Sequence, residues 1–448
     1  MFENKNVVVL GLARSGIAAS KFLRKRNCKV TVNDMKKEEK KEILDDLEKE
    51  GINVILGSHP DDLINEDVDY LIKNPGVPID HKYVLKAREL GIPVINEVEM
   101  AYLCIPKDKK IKMIAITGSN GKTTTTTLIY EFLKADNQKV VLAGNIGYPL
   151  SNFVDGLEEN TIIVMETSCQ QLENLEKFNP DVAVMTNISE AHIDFMKTYE
   201  HYKYVKSKIL QNHTKENIAI LNNENEELLD AVKDAKSTKK YFSSKKKIDG
   251  AYFENNKIFY YDEEIVDIKN IKLRGIHNIE NIMAAVMAVK EFNCKTESIQ
   301  KVLKDFNGVE HRLEYVDNIN GRLFYNDTEA TNIKCTQIAL NSFTEPTIIL
   351  LGGLERGQKF EDLIPYMKNV KAIVAMGQCK QRVKDFGDKL NIPTYVCDYI
   401  TDATEKAYEI SKEGDVILLS PGSASWDQYK ECEERGSLFK ETAKKLKK

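Results

Sequence analysis

The sequence predicts an α/β protein of three units in tandem, each a largely parallel sheet wrapped by helices. Three observations predict it. Short β-branched runs recur, each closed by a glycine-bearing or polar turn and followed by an apolar pattern of helical period. The rhythm breaks and restarts near residues 97 and 309. The length of 448 residues suits about three domains, with no repeat of solenoid period. The expected units are 1–96, 97–308 and 309–448.

In the first unit, 6–10 (NVVVL) reads as a strand, and Gly11-Leu-Ala-Arg-Ser-Gly16 leads into a helix running to about Arg26. A second strand, 29–33, ends at Asp34. Ala13 stands where a dinucleotide fingerprint carries its second glycine, so the turn by itself does not identify a dinucleotide site. Further strands are read at 69–73, ending in Asn74-Pro-Gly-Val77, and at 92–95. Strand ends of one parallel sheet converge on a crevice. That groups Ser15, Asp34, Lys36, Asn74 and Gly76, with helix N-termini suited to a diphosphate. Pro106 and a charged run make 97–108 read as a linker.

The second unit opens with IAITGSNGKTTTTTLI at 114–129: strand, glycine turn, Lys-Thr, helix. This is the layout of a phosphate-binding loop, in which backbone N–H groups and a helix N-terminus face the anion, a lysine adds charge and a hydroxyl reaches Mg²⁺. Its residues are Gly118, Ser119, Asn120, Gly121, Lys122, Thr123 and Thr124. Ile116 occupies the place of the usual first glycine, so the pattern is T-G-S-N-G-K-T rather than the general one. Later strands, 140–143, 161–166 and 181–186, also end in polar residues, and Glu166 sits where an acid ordering Mg²⁺ would stand. Between 217 and 271 the strands shorten and Asn255-Asn256 marks a hairpin, which reads as an antiparallel appendage. A helix is expected to start near Arg274–Asn278. In the third unit the strands 323–325, 347–351, 372–376, 394–396 and 416–419 alternate with helices, and polar signals again follow strands, at 326–332, 352–357 and 420–425.

Composition narrows the function. Hydrophobic content of 42% and charged content of 30% suit a globular core, and a net charge of −5 argues against a general nucleic-acid or membrane-surface binder. An anionic ligand must therefore meet local positive sites. The eight cysteines form no C-x-x-C pair and read as thiols of a reducing compartment. The N-terminus enters a strand directly, without a basic n-region, and no apolar run approaches the ~20 residues that span a bilayer. A cytoplasmic location is expected.

Seven motifs in order, T-G-S-N-G-K-T, G-N-I-G at 144–147, N-I-S-E-A-H-I-D at 187–194, the 202–206 stretch, H-N-x-x-N at 277–281, H-R at 311–312 and N-D-T-E-A-T-N at 326–332, resemble the Mur ligase family. The resemblance covers essentially the whole chain. It implies an N-terminal Rossmann-like UDP-binding domain, a central P-loop ATPase-like α/β domain with a small antiparallel β appendage, and a C-terminal Rossmann-like domain that binds an amino acid. Within the family, G-L-A-R-S-G, G-G-L-E-R-G and S-P-G-S-A-S-W-D-Q-Y are most similar to members that join D-glutamate to UDP-N-acetylmuramoyl-L-alanine with ATP. The expected chemistry is phosphorylation of the substrate carboxylate, then attack of the D-glutamate amine on the acyl phosphate, in a monomer with small-molecule partners only.

The resemblance also assigns residues. Lys122, His192 and Lys206 carry catalysis, and Thr123, Glu166, His192 and Lys206 hold two Mg²⁺ ions. A lysine ammonium has no lone pair, so Lys206 would serve as a carbamate formed with CO₂; Lys208 is the competing register. Asn278, Asn281, Arg312 and Asp327 meet ATP beside the phosphate loop. Ser15, Asp34, Lys36, Asn74 and Gly76 hold UDP, while Asn145, Ser168 and Gln171 contact the muramoyl part. Thr331, Arg356 and Ser425 bind D-glutamate. The chain departs from the pattern at Glu329, where lysine is common, at Cys169 and Gln170, where Ser and Phe are usual, and at Lys36, which replaces a common arginine. An acid at 329 would repel an acidic substrate unless it were paired. Other readings are another Mur ligase or folylpolyglutamate-synthase-like enzyme, an inactive nucleotide-binding homologue and, on the first turn alone, a nicotinamide dehydrogenase. The D-N-P-R motif of the diaminopimelate-adding enzymes is absent.

Overall fold

Among the described residues three sheets carry the architecture, each ordered so that strand ends meet at a reversal of strand order. A computed structural model describes residues 2–447, apart from the Asp194 side chain. It divides into two units, Met1–Ile265 with Glu280–Ile299, and Val266–Ile279 with Gln300–Lys448.

The first unit begins with β1 (Asn6–Leu10), α1 (Arg14–Arg24), β2 (Lys29–Asp34), α2 (Lys41–Lys49), β3 (Asn53–Leu56), β4 (Tyr70–Lys73), α3 (Lys82–Glu89) and β5 (Val94–Ile95). The sheet is parallel, in the order β3-β2-β1-β4-β5. Val7–Leu10 of β1 are buried, as a strand covered on both faces requires. Order reverses between β1 and β4, which puts the Gly11–Gly16 turn beside the Asn74–Val77 turn. The short, half-buried β3 is an addition to the strands read from sequence.

The expected linker at 97–108 is corrected in its first half. Glu97–Leu103 forms α4, whose residues Glu97–Ala101 are buried. Asn96 caps it by accepting from the Glu99 N–H. Glu97 accepts from Ser151 N–H at 2.6 Å, and Glu99 from the N–H groups of Lys177 and Phe178 at 2.6 and 3.2 Å. Two acids of the expected linker thus tie this helix to the turn at Ser151 and to the segment before β9.

That sheet is built from β6 (Lys112–Thr117), α5 (Lys122–Ala135), β7 (Val140–Gly144), β8 (Ile162–Glu166), α6 (Cys169–Leu172), β9 (Val182–Met185), α7 (Ile193–Met196), α8 (Tyr199–Ser207), β10 (Ile218–Asn222), α9 (Glu226–Ala231), β11 (Thr238–Ser243), β12 (Gly250–Glu254), β13 (Lys257–Tyr260) and β14 (Glu263–Asp267). Its order is β14-β13-β12-β11-β10-β9-β6-β8-β7. β10 and β11 continue the parallel sheet, and the antiparallel hairpin β12–β13 extends its edge. Asn255 and Asn256 turn that hairpin with φ of 51° and 61°, the left-handed pair such a two-residue loop needs. β6 lies between β8 and β9, at the reversal of strand order, and this places the phosphate loop. α10 (Ile276–Lys290) and α11 (Thr296–Asp305) follow.

The second unit carries a sheet of order β15-β16-β20-β17-β18-β19. Its elements are β15 (Glu314–Ile319), β16 (Arg322–Asn326), α12 (Ile333–Leu340), β17 (Thr347–Gly352), β18 (Val370–Met376), α13 (Lys380–Lys389), β19 (Thr394–Val396), α14 (Ile400–Glu409), β20 (Val416–Leu419) and α15 (Cys432–Lys445). β15 is an addition to the strands read from sequence; it is mostly half-buried and pairs antiparallel with β16 through Asn320-Gly321. Among the described residues no helix is long and apolar enough to cross a membrane.

Candidate active site

The phosphate loop turns on two glycines. Gly118 has φ of 156°, and a Cβ there would lie 1.9 Å from Thr186 Oγ1; Gly121 has φ of 82°, and a Cβ there would lie 2.2 Å from Asn281 Oδ1. Only glycine fits either place. The segment just after β9 holds the loop: Ser119 N–H donates to Asn187 O, Asn120 N–H to Asn187 Oδ1, and Thr186 Oγ1 to Asn120 O at 2.6 Å. Tyr202 and Ser119 share a hydroxyl–hydroxyl bond at 2.8 Å. α5 starts at Lys122, so its N-terminal amides and Thr123 and Thr124 stand at the loop. The two threonines of the run that are fully buried have bonded hydroxyls: Thr126 Oγ1 donates to Lys122 O and Thr125 Oγ1 to Asn281 Oδ1.

Two lysines converge on one carbonyl. Lys122 Nζ donates to Gly118 O at 2.9 Å and Ser119 O at 3.0 Å. Lys206, on α8, donates to the same Gly118 O at 2.7 Å and to Thr117 Oγ1 at 3.0 Å. Lys206 is only 1% exposed. Burial, reinforced by the like charge of Lys122, pulls its pKa down to about 7. Lys208 turns elsewhere, donating to Glu173 O at 2.6 Å.

Glu166 ends β8 and is 1% exposed. Its Oε1 accepts from Asn145 Nδ2 at 2.7 Å, while the buried Oε2 has no hydrogen-bond partner. A buried carboxylate oxygen without a partner is a hard-oxygen donor of the kind that suits Mg²⁺, which takes one or two carboxylates and fills its remaining positions with water and phosphate. Among the described residues no cluster of three His, Cys, Asp or Glu marks a conventional metal site. His192 is exposed, in the left-handed conformation that precedes α7.

The β1/β4 crevice gathers its expected residues. Asn74 Nδ2 donates to Ser15 Oγ at 3.0 Å, and Gly76 N–H donates to Asn74 Oδ1 at 3.2 Å. Asp34 accepts from the Leu12 and Lys36 N–H groups at 2.7 and 2.9 Å, and Lys36 Nζ reaches back to Leu12 O. Arg14, passed over in the sequence, donates to Gly147 O and ties this crevice to the G-N-I-G loop. Ser168 and Gln171 form a capping box on α6, so Gln171 is buried in service of its own helix.

In the second unit, Thr331, Arg356 and Ser425 follow β16, β17 and β20, which are neighbouring parallel strands. The Arg356 guanidinium stands 4.7 Å over the exposed Trp426 ring. Ser425 is buried with its hydroxyl unpartnered. Nearby, Arg435 is 1% exposed, and among the described residues no carboxylate pairs with it. It donates to Thr328 Oγ1, Thr328 O and Ser423 O, its Nη1 is unpartnered, and burial lowers its pKa to about 10. Its signal in the sequence was helical spacing, since it lies four residues before Phe439 on the buried face of α15. Asp327 is buried, accepts from Leu313 N–H and Ser420 Oγ, and has its pKa pushed up to about 7 by that burial. Glu329 is paired: Arg312 Nε and Nη2 both donate to its Oε2, at 3.0 and 2.5 Å. The acid that stands where lysine is common is thereby neutralised. Asn278 Nδ2 donates to Arg274 O.

Comparison with known proteins agrees with this geometry. The Mur ligase MurD-like N-terminal domain model matches residues 5–96, the Mur ligase middle domain model 116–289, and the Mur ligase glutamate ligase domain model 311–422. The UDP-N-acetylmuramoylalanine--D-glutamate ligase of Bacillus cereus (strain G9842) is 42% identical over 447 residues, 99% of this chain and 98% of that protein. The chain belongs to the Mur ligase family. The protein of the same name from Bacillus anthracis (strain A0248) matches equally, at 42% over 99% of the chain. Among solved structures, the UDP-N-acetylmuramate-alanine ligase MurC of Thermotoga maritima superposes with a TM-score of 0.59 at 18% identity, over 98% of this chain and 99% of that one. The MurF ligase of the same organism, in complex with ADP, gives 0.59 at 16% identity over 93% and 95%. These two show a shared Mur ligase fold. As a Mur ligase the chain is an ATP-dependent ligase of peptidoglycan-precursor synthesis.

Proposed function

We propose that this Mur ligase joins D-glutamate to the L-alanine carboxylate of UDP-N-acetylmuramoyl-L-alanine, in the cytoplasm, at the cost of one ATP. The observation that carries the chemistry is the convergence of Lys122 and Lys206 on the Gly118 carbonyl, beside an unpartnered Glu166 oxygen. The choice of substrates rests on the full-length likeness to the Bacillus ligases named for them.

A carboxylate is a poor acyl donor. Its oxygen attacks the γ-phosphorus of ATP, the bond to ADP breaks, and an acyl phosphate forms. The D-glutamate nitrogen then attacks the acyl carbon, loses a proton, and phosphate departs. The first step brings two anions together, so the chain must concentrate positive charge. The loop amides and the N-terminus of α5 face the phosphates, and Lys122 can exchange its two carbonyl acceptors for phosphate oxygens. Thr123 and Glu166 would hold one Mg²⁺, and His192 with a carbamylated Lys206 a second; bound there, the ions would neutralise charge on the transferring phosphoryl group. Carbamylation needs a neutral amine, and burial supports that for Lys206 near pH 7. Its place at the loop favours it over Lys208, which points to Glu173.

Phosphate release should require ATP, UDP-N-acetylmuramoyl-L-alanine and D-glutamate together. Turnover only with L-lysine or diaminopimelate would refute the choice of amino acid. Of the two departures that motivate an inactive homologue, Glu329 and the altered 166–171 segment, the first is met by Arg312.

A further inference from the structure

A charged residue stands where the core of the first sheet calls for an apolar one. Lys73 is the last residue of β4 and is 0% exposed. It follows Leu71 by two, so it shares the strand face on which Leu71 packs with Val8, Leu10, Tyr83, Val84 and Ala87. Its ammonium donates to Val77 O at 2.6 Å and Asn74 O at 3.4 Å. Among the described residues no carboxylate forms an ion pair with it. Taking a cation out of water without a counter-ion is expensive, and leucine or methionine would fill the same place without that cost.

The turn that Lys73 holds is Asn74-Pro-Gly-Val77, closed by Val77 N–H donating to Asn74 O at 3.0 Å. The opposite side of the turn lies against the glycine turn that starts the eleven-residue α1. Asn74 Nδ2 donates to Ser15 Oγ, and a Cβ on Gly11 would come within 2.7 Å of Asn74 Cβ. An anion in this crevice meets helix amides on one side and, on the other, a turn whose carbonyls are drawn back onto a buried cation.

We propose that Lys73 is a positioning residue for the diphosphate of the nucleotide substrate: it orients the Asn74–Val77 turn through two carbonyls and supplies the charge that the bound anion neutralises. This rests on the UDP-linked substrate proposed above. The charged groups that act on the ammonium are Glu173, after α6, which favours its charge, and Arg88, on α3, which opposes it. Burial outweighs both and lowers its pKa to about 8. A diphosphate must raise that value, so binding near pH 8.5 takes up protons. His59, in the loop after β3, and His81, which caps α3, do not contribute, since burial lowers both below their ordinary values.

The experiment is isothermal titration of the intact enzyme with UDP at pH 8.5, in two buffers of different ionisation heat. Uptake of a substantial fraction of a proton per UDP is expected in the wild type, and none in Lys73→Met. In steady state, Lys73→Met should raise KM for the UDP-substrate tenfold or more, with kcat and KM for ATP within twofold, and Lys73→Arg should recover most of the loss. UDP binding without proton uptake in the wild type overturns the role of Lys73 even if the Met variant does not fold. Failure of the wild type to bind UDP overturns the nucleotide reading itself, and Lys73's role with it.

Discussion

Replacing Lys206 by methionine should make the protein more stable while abolishing ligation. The side chain is fully buried, its ammonium has two neutral acceptors, and the nearby Lys122 shares its sign. Its pKa falls from the ordinary 10.5 to about 7 on folding. Between those values the unfolded chain binds the proton and the folded one does not, so stability rises with pH across the window and is lowest below pH 7. At about 1.4 kcal/mol per pH unit the penalty approaches about 5 kcal/mol at its ceiling. Relaxation and the loss of two hydrogen bonds leave a net gain of about 2–3 kcal/mol for methionine, which has a similar volume. Urea unfolding in CO₂-free buffer should show this gain at pH 7, and the gap should close as pH approaches 10. A variant less stable than wild type at pH 7, or a gap that ignores pH, would refute the account of Lys206 as a buried, strained amine.

Two further substitutions test the loop and the departure at 329. Glu329→Gln frees Arg312 from a half-exposed pair worth at most about 1 kcal/mol, so KM for ATP should fall by a factor of up to about five, measured in the phosphate-release assay; a rise would mean Glu329 serves the nucleotide site directly. Gly121→Ala forces a left-handed residue costing about 1–2 kcal/mol and sets a methyl 2.2 Å from Asn281 Oδ1. Nucleotide binding by calorimetry should weaken at least tenfold, and an unchanged affinity would show that the loop yields without loss.

Whatever depends on neighbours in the chain was legible. The strand–turn–helix rhythm, the glycines at 118 and 121 and the Asn-Asn hairpin follow from steric limits acting within a few residues, so the three-sheet α/β plan and the phosphate loop could be read from the letters. Acids and bases were read less well, because their state depends on what lies opposite. Glu97 and Glu99 looked like part of a linker, yet they accept backbone N–H groups more than fifty residues away. Lys206 shares α8 with Lys203, and only packing against Thr117 and Gly118 at the end of β6, 89 and 88 residues away, buries it and lowers its pKa. Lys73 and Arg435 became buried cations in the same way, and Glu329 met its arginine across a turn. Sequence determined where backbone amides would be presented to an anion, since φ, ψ and hydrogen-bonding needs are local. Tertiary structure alone decided which side chains would lose water and which charges would face each other, because desolvation and Coulomb energy depend on distances in space.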